Sequence, residues 1–490
     1  MKLSKDKIVI LLLSIFLLGG FFVRLYRLDN PVADWHSWKQ ADVSAVSRNF
    51  VQQGFDILHP RIDNISNVLS GMDNPNGYSF IEFPIYNVFQ AGLFKIFGVL
   101  TLEEWGRLVT ISASLFSSLF LFFLIKKRFG RAAAFLTTAF FLFVPYNIYY
   151  SRVILSDPSM VMAILGGTYF FDRWLNENSK VKTQKSKLKE TVYFLISLFL
   201  TTSAFLIKPY ALFFTLPMIY LAFEKFGFGF LKKWQLWVFL IVSIIPLVFW
   251  RIWMLQYPEG MPANAWLFNG GNIRFKGAFF YWIFADRIGR LISGYWGVVF
   301  VILGLLGKHT KKNFLFLLSF IASSLLYITV IARGNVQHDY YQILIFPSVA
   351  ILMGIGAASL LAKTAGYKKY VNYSILLVCS LFTMSFGWYF VRDYFNINNP
   401  SIIVAGEAVD KLTPKNAKVI ANYNGDSSFL YQTKRKGWVR FEKPLPELIQ
   451  MGADYLVLAN PTTADLGLGK TYKIVSETPQ YVIFNLRQKP

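Results

Sequence analysis

Glu82-Phe-Pro84-Ile-Tyr86-Asn87-Val-Phe-Gln90-Ala-Gly-Leu-Phe-Lys95-Ile-Phe-Gly98 is the stretch on which the topology turns. As a helix it would measure about 25 Å, close to the thickness of a bilayer's hydrocarbon core. Glu82, Asn87, Gln90 and Lys95 interrupt it. The basic residues elsewhere decide how to read it. They stand in short clusters between apolar runs: Lys2, Lys5 and Lys7; Lys126, Lys127, Arg128 and Arg131; Lys180, Lys182, Lys185, Lys187 and Lys189; Lys225, Lys232 and Lys233; Lys308, Lys311 and Lys312; Lys363, Lys368 and Lys369. Such clusters belong in cytoplasmic loops. Counting 82–98 as a span would move nearly all of them outside. Laid along the outer face as an interfacial helix, it leaves every cluster inside. The other apolar runs, near 8–23, 105–125, 132–150, 159–176, 191–207, 210–224, 235–255, 291–307, 313–332, 343–362 and 371–391, then give eleven spans. The N-terminus is inside and the C-terminus outside.

Composition agrees. The 490 residues are 54% hydrophobic and only 16% charged, against about 25% charged in soluble domains. So apolar a chain is not intrinsically disordered. A single cysteine, Cys379, excludes a disulfide framework and any cysteine-based zinc site. The net charge of +23 would suit nucleic-acid binding, but its division among inter-span loops points to membrane topology instead. The basic start and apolar run from Ile8 to Val23 are followed by bulky residues, with no small-residue cleavage site. This predicts an uncleaved first helix.

The predicted fold is an all-α polytopic membrane bundle over residues 1–395, with about eleven transmembrane helices. Interfacial helices are expected in the first outer loop, 25–104, including one from Trp38 onward. Residues 396–490 are expected to form a small extracytoplasmic α/β domain. Its helices fall at 401–412, with Ser401 as cap, and at Pro446–Gln450; its strands fall at Lys418–Asn422, Tyr455–Ala459, Lys473–Ser476 and Tyr481–Asn485. Ala464-Asp-Leu-Gly-Leu-Gly469-Lys470-Thr471 nearly matches a phosphate-binding loop, but its first glycine is replaced and a strand pattern follows where a helix is required.

The unusual polar residues gather on the outer side of this map. The first loop carries Asp34, His36, Lys39, Asp42, Arg48 and Glu82; Arg107 opens the next span; Arg152 and Asp157 follow span three; Lys208 lies in a short turn; Arg333, His338 and Tyr341 follow span nine. Carboxylates and cations in one place suit transfer of a sugar from a lipid phosphate. The acceptor needs a base to take its proton, and the departing phosphate needs cations. Asp42 or Asp34 is the candidate base, with Asp157 a further catalytic carboxylate. Arg107, Arg152, Lys208, Arg333, His338 and Tyr341 are candidates for the donor phosphate, and His36, Lys39, Arg48 and Glu82 for substrate binding. Each has a plainer reading: Asp157 before Pro158 suits a helix cap, Lys208 suits a snorkelling lysine, and His338 suits an aromatic belt. Asp34, His36, Asp42, Asp157 and His338 are also ligand types for Mg²⁺, Mn²⁺ or Zn²⁺, though no spacing is diagnostic.

His36-Ser-Trp-Lys-Gln-Ala-Asp42 with Ser47-Arg48-Asn49-Phe50 resembles a motif of the GT-C superfamily of integral-membrane glycosyltransferases. The nearest group is that of the protein O-mannosyltransferases and aminoarabinose transferases, with the bacterial RgtA/B/C/D-like branch. Glu82-Phe-Pro84-Ile-Tyr86, Gly106-Arg107-Leu108, Tyr150-Ser-Arg152 with Asp157-Pro158, Lys208-Pro209 and His338-x-Tyr340-Tyr341 follow in the family's order. The resemblance covers about residues 8–395. It implies inverting transfer from a polyprenyl-phosphate-linked sugar to a lipid, glycan or protein acceptor at the outer face of a bacterial inner membrane. It also implies a first-loop Asp as base and Arg/Lys residues on the phosphate. Many relatives have Asp-Glu where this chain has Lys39-Gln40, so Asp42 and Asp34 both stay open. No Trp-Trp-Asp sequon motif is present. A transporter or lipid flippase is the alternative in another class, and a non-catalytic glycan-binding membrane protein a third.

Overall fold

The computed structural model describes residues 5–177, 184–361 and 366–490. Of the basic clusters, Lys2, Lys180, Lys182 and Lys363 lie outside the described residues. The bundle begins with α1 (Lys5–Arg24), α2 (Ser37–Gln53), α3 (Ile85–Phe97), α4 (Leu102–Phe143), α5 (Pro145–Tyr150), α6 (Asp157–Glu177) and α7 (Gln184–Ile207). It continues with α8 (Leu216–Phe226), α9 (Trp234–Met254), α10 (Trp266–Asn269), α11 (Gly277–Phe280), α12 (Val298–Leu306), α13 (Lys311–Val330), α14 (Ala332–Gln337), α15 (Phe346–Leu360) and α16 (Tyr367–Val391).

Among the described residues, 7 helical segments are long and apolar enough to cross a membrane. One of them is two legs. As a single rod the 42 residues of α4 would measure roughly 63 Å, but Gly130 sits at φ 85°, ψ 179°. Phe122 and Phe135, on either side of it, bring their rings within 5.0 Å. The left-handed φ at Gly130 makes this reversal easy for glycine and costly for any other residue. The run at 291–307, expected as one span, is broken. A π-helical turn over Tyr281–Ile292 leads into Gly294 and Tyr295, both at positive φ, and only nine residues of α12 follow. A side chain at Gly294 would meet the Thr383 carbonyl at 2.5 Å, so the break is where this segment packs directly on α16.

Ion pairs mark the two ends of the bundle. At one end the α4 reversal meets the start of α1 through Arg131–Asp6 (3.1 Å), the end of α6 through Lys127–Asp172 (2.7 Å) and the end of α8 through Arg128–Glu224 (2.6 Å). This is the end that carries the basic clusters. At the opposite end Arg24 donates to Ser151 (2.6 Å) and Arg152 faces Asp34 (3.3 Å). At about 20 Å, α3 is too short to cross. Asn87 donates to the Val43 carbonyl (2.6 Å) and Gln90 to that of Leu102 (2.9 Å), so α3 lies against α2 and the start of α4. The helix from Trp38 is not interfacial as expected: α2 is buried on nearly every side. Its small residues Ala41, Ser44, Ala45 and Ser47 let the bundle, α3 and the C-terminal tail approach together.

The tail holds α17 (Pro400–Leu412), α18 (Ser428–Thr433), α19 (Leu445–Gln450) and α20 (Thr463–Leu466) around a sheet. The strands are β1 (Val419–Ala421), β2 (Gly437–Trp438), β3 (Tyr455–Ala459), β4 (Lys473–Thr478) and β5 (Tyr481–Asn485), in the order β2-β1-β3-β5-β4. β1 runs parallel to β2 and β3, while β5 is antiparallel to β3 and β4. Asn399, not Ser401, caps α17: its side chain accepts from the Ser401 amide (3.1 Å), with Pro400 in the first turn. The tail is bound closely to the first loop. Ala33 lies in the core formed by Ile402, Phe429 and Ile483, and Ile65 in that of Trp438 and Leu456. Arg48 stacks 3.9 Å over the Tyr431 ring.

Candidate active site

The polar end opens into a cleft of about 500 Å³. Lys39 and Asp42 enter it from α2, three residues apart and therefore on one face of the helix. Glu82 enters just ahead of α3, Lys208 from the turn after α7, Arg251 from the end of α9, Tyr340 and Tyr341 from the segment after α14, and Gly425 and Ser427 from the tail. Pro209 explains how Lys208 gets there. The residue before a proline is driven out of helical geometry, and Lys208, at φ −149°, ψ 125°, ends α7 with its ammonium turned to the site.

The charges alternate. The Lys208 ammonium donates to both Asp157 oxygens (2.6 and 2.7 Å) and lies 3.3 Å from Glu82 Oε1; the Lys39 ammonium lies 3.5 Å from the same oxygen. Ser156 donates to the other Glu82 oxygen. Burial alone would raise the Glu82 pKa, but Lys39, Lys208 and Ser156 bring it below its ordinary value. Asp42 differs: among the described residues no cation pairs with it. Burial pushes its carboxyl up to about 6, against the opposing pull of the Ser427 hydroxyl and Lys39 and with help from Asp426 and Asp63.

Beside the cleft lies a second centre that the sequence reading did not single out. Asp339 accepts from His36 (2.6 Å), Trp35 (3.2 Å), Tyr150 (2.5 Å) and Tyr394 (2.7 Å). Despite burial, His36 first, then the Tyr150 hydroxyl and the Arg287 charge, hold its carboxyl well below the ordinary range. The only signal in the sequence was the acidic residue inside His338-Asp339-Tyr340-Tyr341. Asp339 fixes His36, whose backbone is left-handed (φ 54°) at the start of α2. His338 packs among Trp38, Trp266, Tyr340 and Tyr341; burial, with His36 nearby, lowers it to about 4.

Several candidates fall elsewhere. Asp34 is fully buried, accepts from Gln40 (2.6 Å) and Arg152 (3.3 Å), and is pushed up by burial. Arg107 and Arg152 are likewise at 0% exposure; Arg107 donates to the Leu28 carbonyl (2.5 Å). These three knit the first loop to α4 and α5 and do not line the cleft. Arg48 pairs with Asp63 and joins α2 to the tail. Arg333 donates to the Gly270 carbonyl (3.2 Å). The proposed metal ligands Asp42, Asp157 and His338 do not assemble. Asp157 is occupied by Lys208, His338 is packed in aromatic rings, and no three His, Cys, Asp or Glu side chains converge among the described residues.

Comparison with known proteins bears on this arrangement. The family model described as dolichyl-phosphate-mannose-protein mannosyltransferase matches residues 81–253. That segment includes Glu82, Asp157, Lys208 and Arg251. ArnT from Cupriavidus metallidurans, solved bound to undecaprenyl phosphate, superposes with a TM-score of 0.65 at 14% identity over 98% of each chain. The oligosaccharyltransferase of Archaeoglobus fulgidus follows at 0.61 and 11%, over 94% of this chain and 70% of its own. A structure of that enzyme, AglB, with an inhibitory peptide and a dolichol-phosphate gives 0.60 at 11%, over 99% and 75%. No curated protein matches the sequence. Residues 81–253 are thus similar to that mannosyltransferase family, and the chain as a whole shares the fold of ArnT and of the archaeal oligosaccharyltransferase.

Proposed function

We propose that this protein transfers a sugar from a polyprenyl-phosphate carrier to an acceptor hydroxyl, with inversion, in a cleft on the extracytoplasmic side of the bacterial inner membrane. The observation that carries the reading is the convergence of Asp42, Lys39, Glu82, Lys208 and Tyr341 in one cleft at the end opposite the basic clusters. With those clusters in the cytoplasm the cleft faces out, and the eleven crossings read from the sequence, with the N-terminus inside, support an outer location for the tail as well. The division into a membrane unit, 1–395, and an extracytoplasmic unit, 396–490, goes with this orientation.

In the proposed reaction the acceptor oxygen attacks the anomeric carbon and the bond to the phosphate oxygen breaks. The acceptor proton passes to Asp42, and the phosphate leaves with the bonding electrons. Only Asp42 among the cleft carboxylates has no lysine held against it, and a base with a pKa near 6 is ionised at neutral pH. Lys39, Lys208 and Arg251 face the same cleft and supply positive charge for the departing phosphate. Glu82 keeps the two lysines apart and oriented, and Tyr341 offers a hydroxyl. Trp38, Trp266 and Tyr210 supply flat apolar surface for a sugar ring. Asp34, Arg107, Arg152 and Arg48 are structural in this scheme. No step runs through a metal.

The test uses the full chain purified in detergent, polyprenyl-phosphate sugars of several kinds, and lipid, glycan and peptide acceptors, with products read by mass spectrometry. Transfer by the wild type and its loss in Asp42→Asn support the reading. Vectorial movement of lipid or solute in proteoliposomes, without any glycosylated product from the whole donor panel, would overturn it in favour of a transporter.

A further inference from the structure

The end of the bundle opposite the cleft holds a second cavity, of about 390 Å³, between the α4 reversal and the ends of α6, α8 and α13. Four cations line it, Lys127, Arg128, Lys225 and Lys312, against two carboxylates, Asp172 and Glu224. The carboxylates are already satisfied. Lys127 donates to both oxygens of Asp172 (2.8 and 2.7 Å), and Arg128 grips both oxygens of Glu224 (3.3 and 2.6 Å). Lys225 and Lys312 form no ion pair among the described residues, so the cavity keeps two uncompensated positive charges.

The walls are built, not incidental. Arg128 has a side chain only 7% exposed, and its guanidinium stacks 4.1 Å over the Phe316 ring of α13. Asn313 donates to the Arg128 carbonyl (2.8 Å) and Tyr220 to that of Lys312 (2.6 Å). Three helices and the α4 turn are thereby held at a fixed spacing around the cavity. Just beyond Lys225 the chain turns through a 3-10 segment, Gly227–Lys232, whose Phe228 is 79% exposed and whose Leu231 is 53% exposed. Trp234, the next helix's first residue, is 68% exposed. Cations facing a polar cavity, with unpartnered apolar side chains beside it at the ends of membrane-crossing helices, match both parts of a lipid.

We propose that this cavity binds the phosphodiester headgroup of an anionic phospholipid from the leaflet that meets the basic end. Lys225 and Lys312 contact the phosphate, Arg128 sets the back wall, and Phe228 and Leu231 lie along the acyl chains. The site owes nothing to the transfer cleft, so it stands or falls apart from the proposed activity. Basic pockets between membrane helices are a recognised setting for acidic headgroups. A lipid here would tie α4, α6, α8 and α13 together at the end remote from the cleft.

The test is lipid retention by native mass spectrometry and thermal unfolding of the full chain in neutral detergent. The probes are phosphatidylglycerol, phosphatidylcholine and inorganic phosphate. Phosphatidylglycerol is expected to remain bound and to raise the unfolding temperature, and phosphatidylcholine to do neither. Lys225→Gln with Lys312→Gln, both at exposed positions, leaves the fold intact and weakens phosphatidylglycerol binding roughly 30-fold, the loss expected for two membrane-facing lysines. Equal stabilisation by inorganic phosphate would reassign the cavity to free anions and overturn the lipid proposal. Unchanged retention in the double variant would overturn the site.

Discussion

Asp42→Asn is expected to separate activity from stability in opposite directions. Removing a positioned general base costs roughly 10²–10⁴ in rate, or about 3–5 kcal/mol of barrier height. The folded protein, by contrast, gains. The Asp42 carboxyl goes from 3.8 to about 6 chiefly because burial disfavours its charge. The folded chain therefore holds this proton more tightly than the unfolded chain. The resulting penalty is absent below about pH 4, grows between about pH 4 and 6, and is complete above. Asparagine carries no charge and escapes it. At 1.36 kcal/mol per pKa unit the gain at pH 7.5 is at most about 3 kcal/mol, reduced by the cleft's contact with water. The assay pairs initial rates from pH 5 to 8.5 at saturating donor with thermal unfolding at pH 5 and 7.5. Wild-type rates should climb through an inflection near 6 and level off. Asp42→Asn should be slow throughout and more heat-stable at pH 7.5. Asp426→Asn should move the wild-type inflection down, since the Asp426 charge helps raise Asp42, and Ser427→Ala should move it up. A variant Asp42→Asn within tenfold of the wild-type rate, or an inflection that neither neighbour moves, would refute the assignment.

Asp34→Ala should cost about 3–5 kcal/mol in stability, because it leaves Arg152 buried without its carboxylate; fluorescence-detected size exclusion should show the lost folded yield, with activity per folded molecule retained. Lys39→Met, which removes a cation with one modest contact, should lower kcat by roughly 10² and spare folding, as read by single-turnover rates and unfolding temperature together. Asp339→Asn should destabilise the protein by about 2 kcal/mol or more, since four donors now meet a charge. Because that carboxyl is held low, the loss should be nearly constant from pH 5 to 8 and close only as the pH falls below about 4.

Much of the bundle was legible because a bilayer imposes long apolar runs and sorts charge between its faces. The treatment of 82–98 shows this: neither length nor composition settles it, and the distant lysines do. The break at Gly294 was not legible. It depends on the backbone of α16 pressing against that glycine, a contact between residues nearly ninety apart. The tail strands at 455–459 and 481–485 announced themselves by β-branched and aromatic alternation, but β2 is two residues long and exists only through pairing with Val419 and Ile420. In the site, the polar residues were visible and their partners were not. Arg107 and Arg152 look like phosphate ligands in sequence, and Arg48 like a substrate contact, because any outward arginine does. The structure gives them burial, Asp34, Asp63 and the Tyr431 ring, and none of these is near in sequence to all three.

The same partners explain why the proposed reaction assigns the base to one carboxylate and not to the others. Asp157 has both oxygens filled by Lys208, and Glu82 faces two ammonium groups and a hydroxyl. Glu82 is thereby stabilised as an anion and is a poor proton acceptor, while Asp157 has no oxygen free of the Lys208 ammonium. Lys208 in turn cannot leave for a phosphate without uncovering Asp157, so its contact with the donor must be shared rather than exchanged. Asp42 sits one helical turn from Lys39, close enough to feel its charge and too far to be quenched by it. The Asp426 carboxylate, brought in by the tail, supplies the opposing field. In the proposed reaction the tail thus has a place that its distance along the chain conceals: through Ser427 and Asp426 it adjusts a proton affinity that burial chiefly sets. A tail swapped from another such protein, with this pair unmatched, should shift the pH dependence of transfer before it alters donor binding.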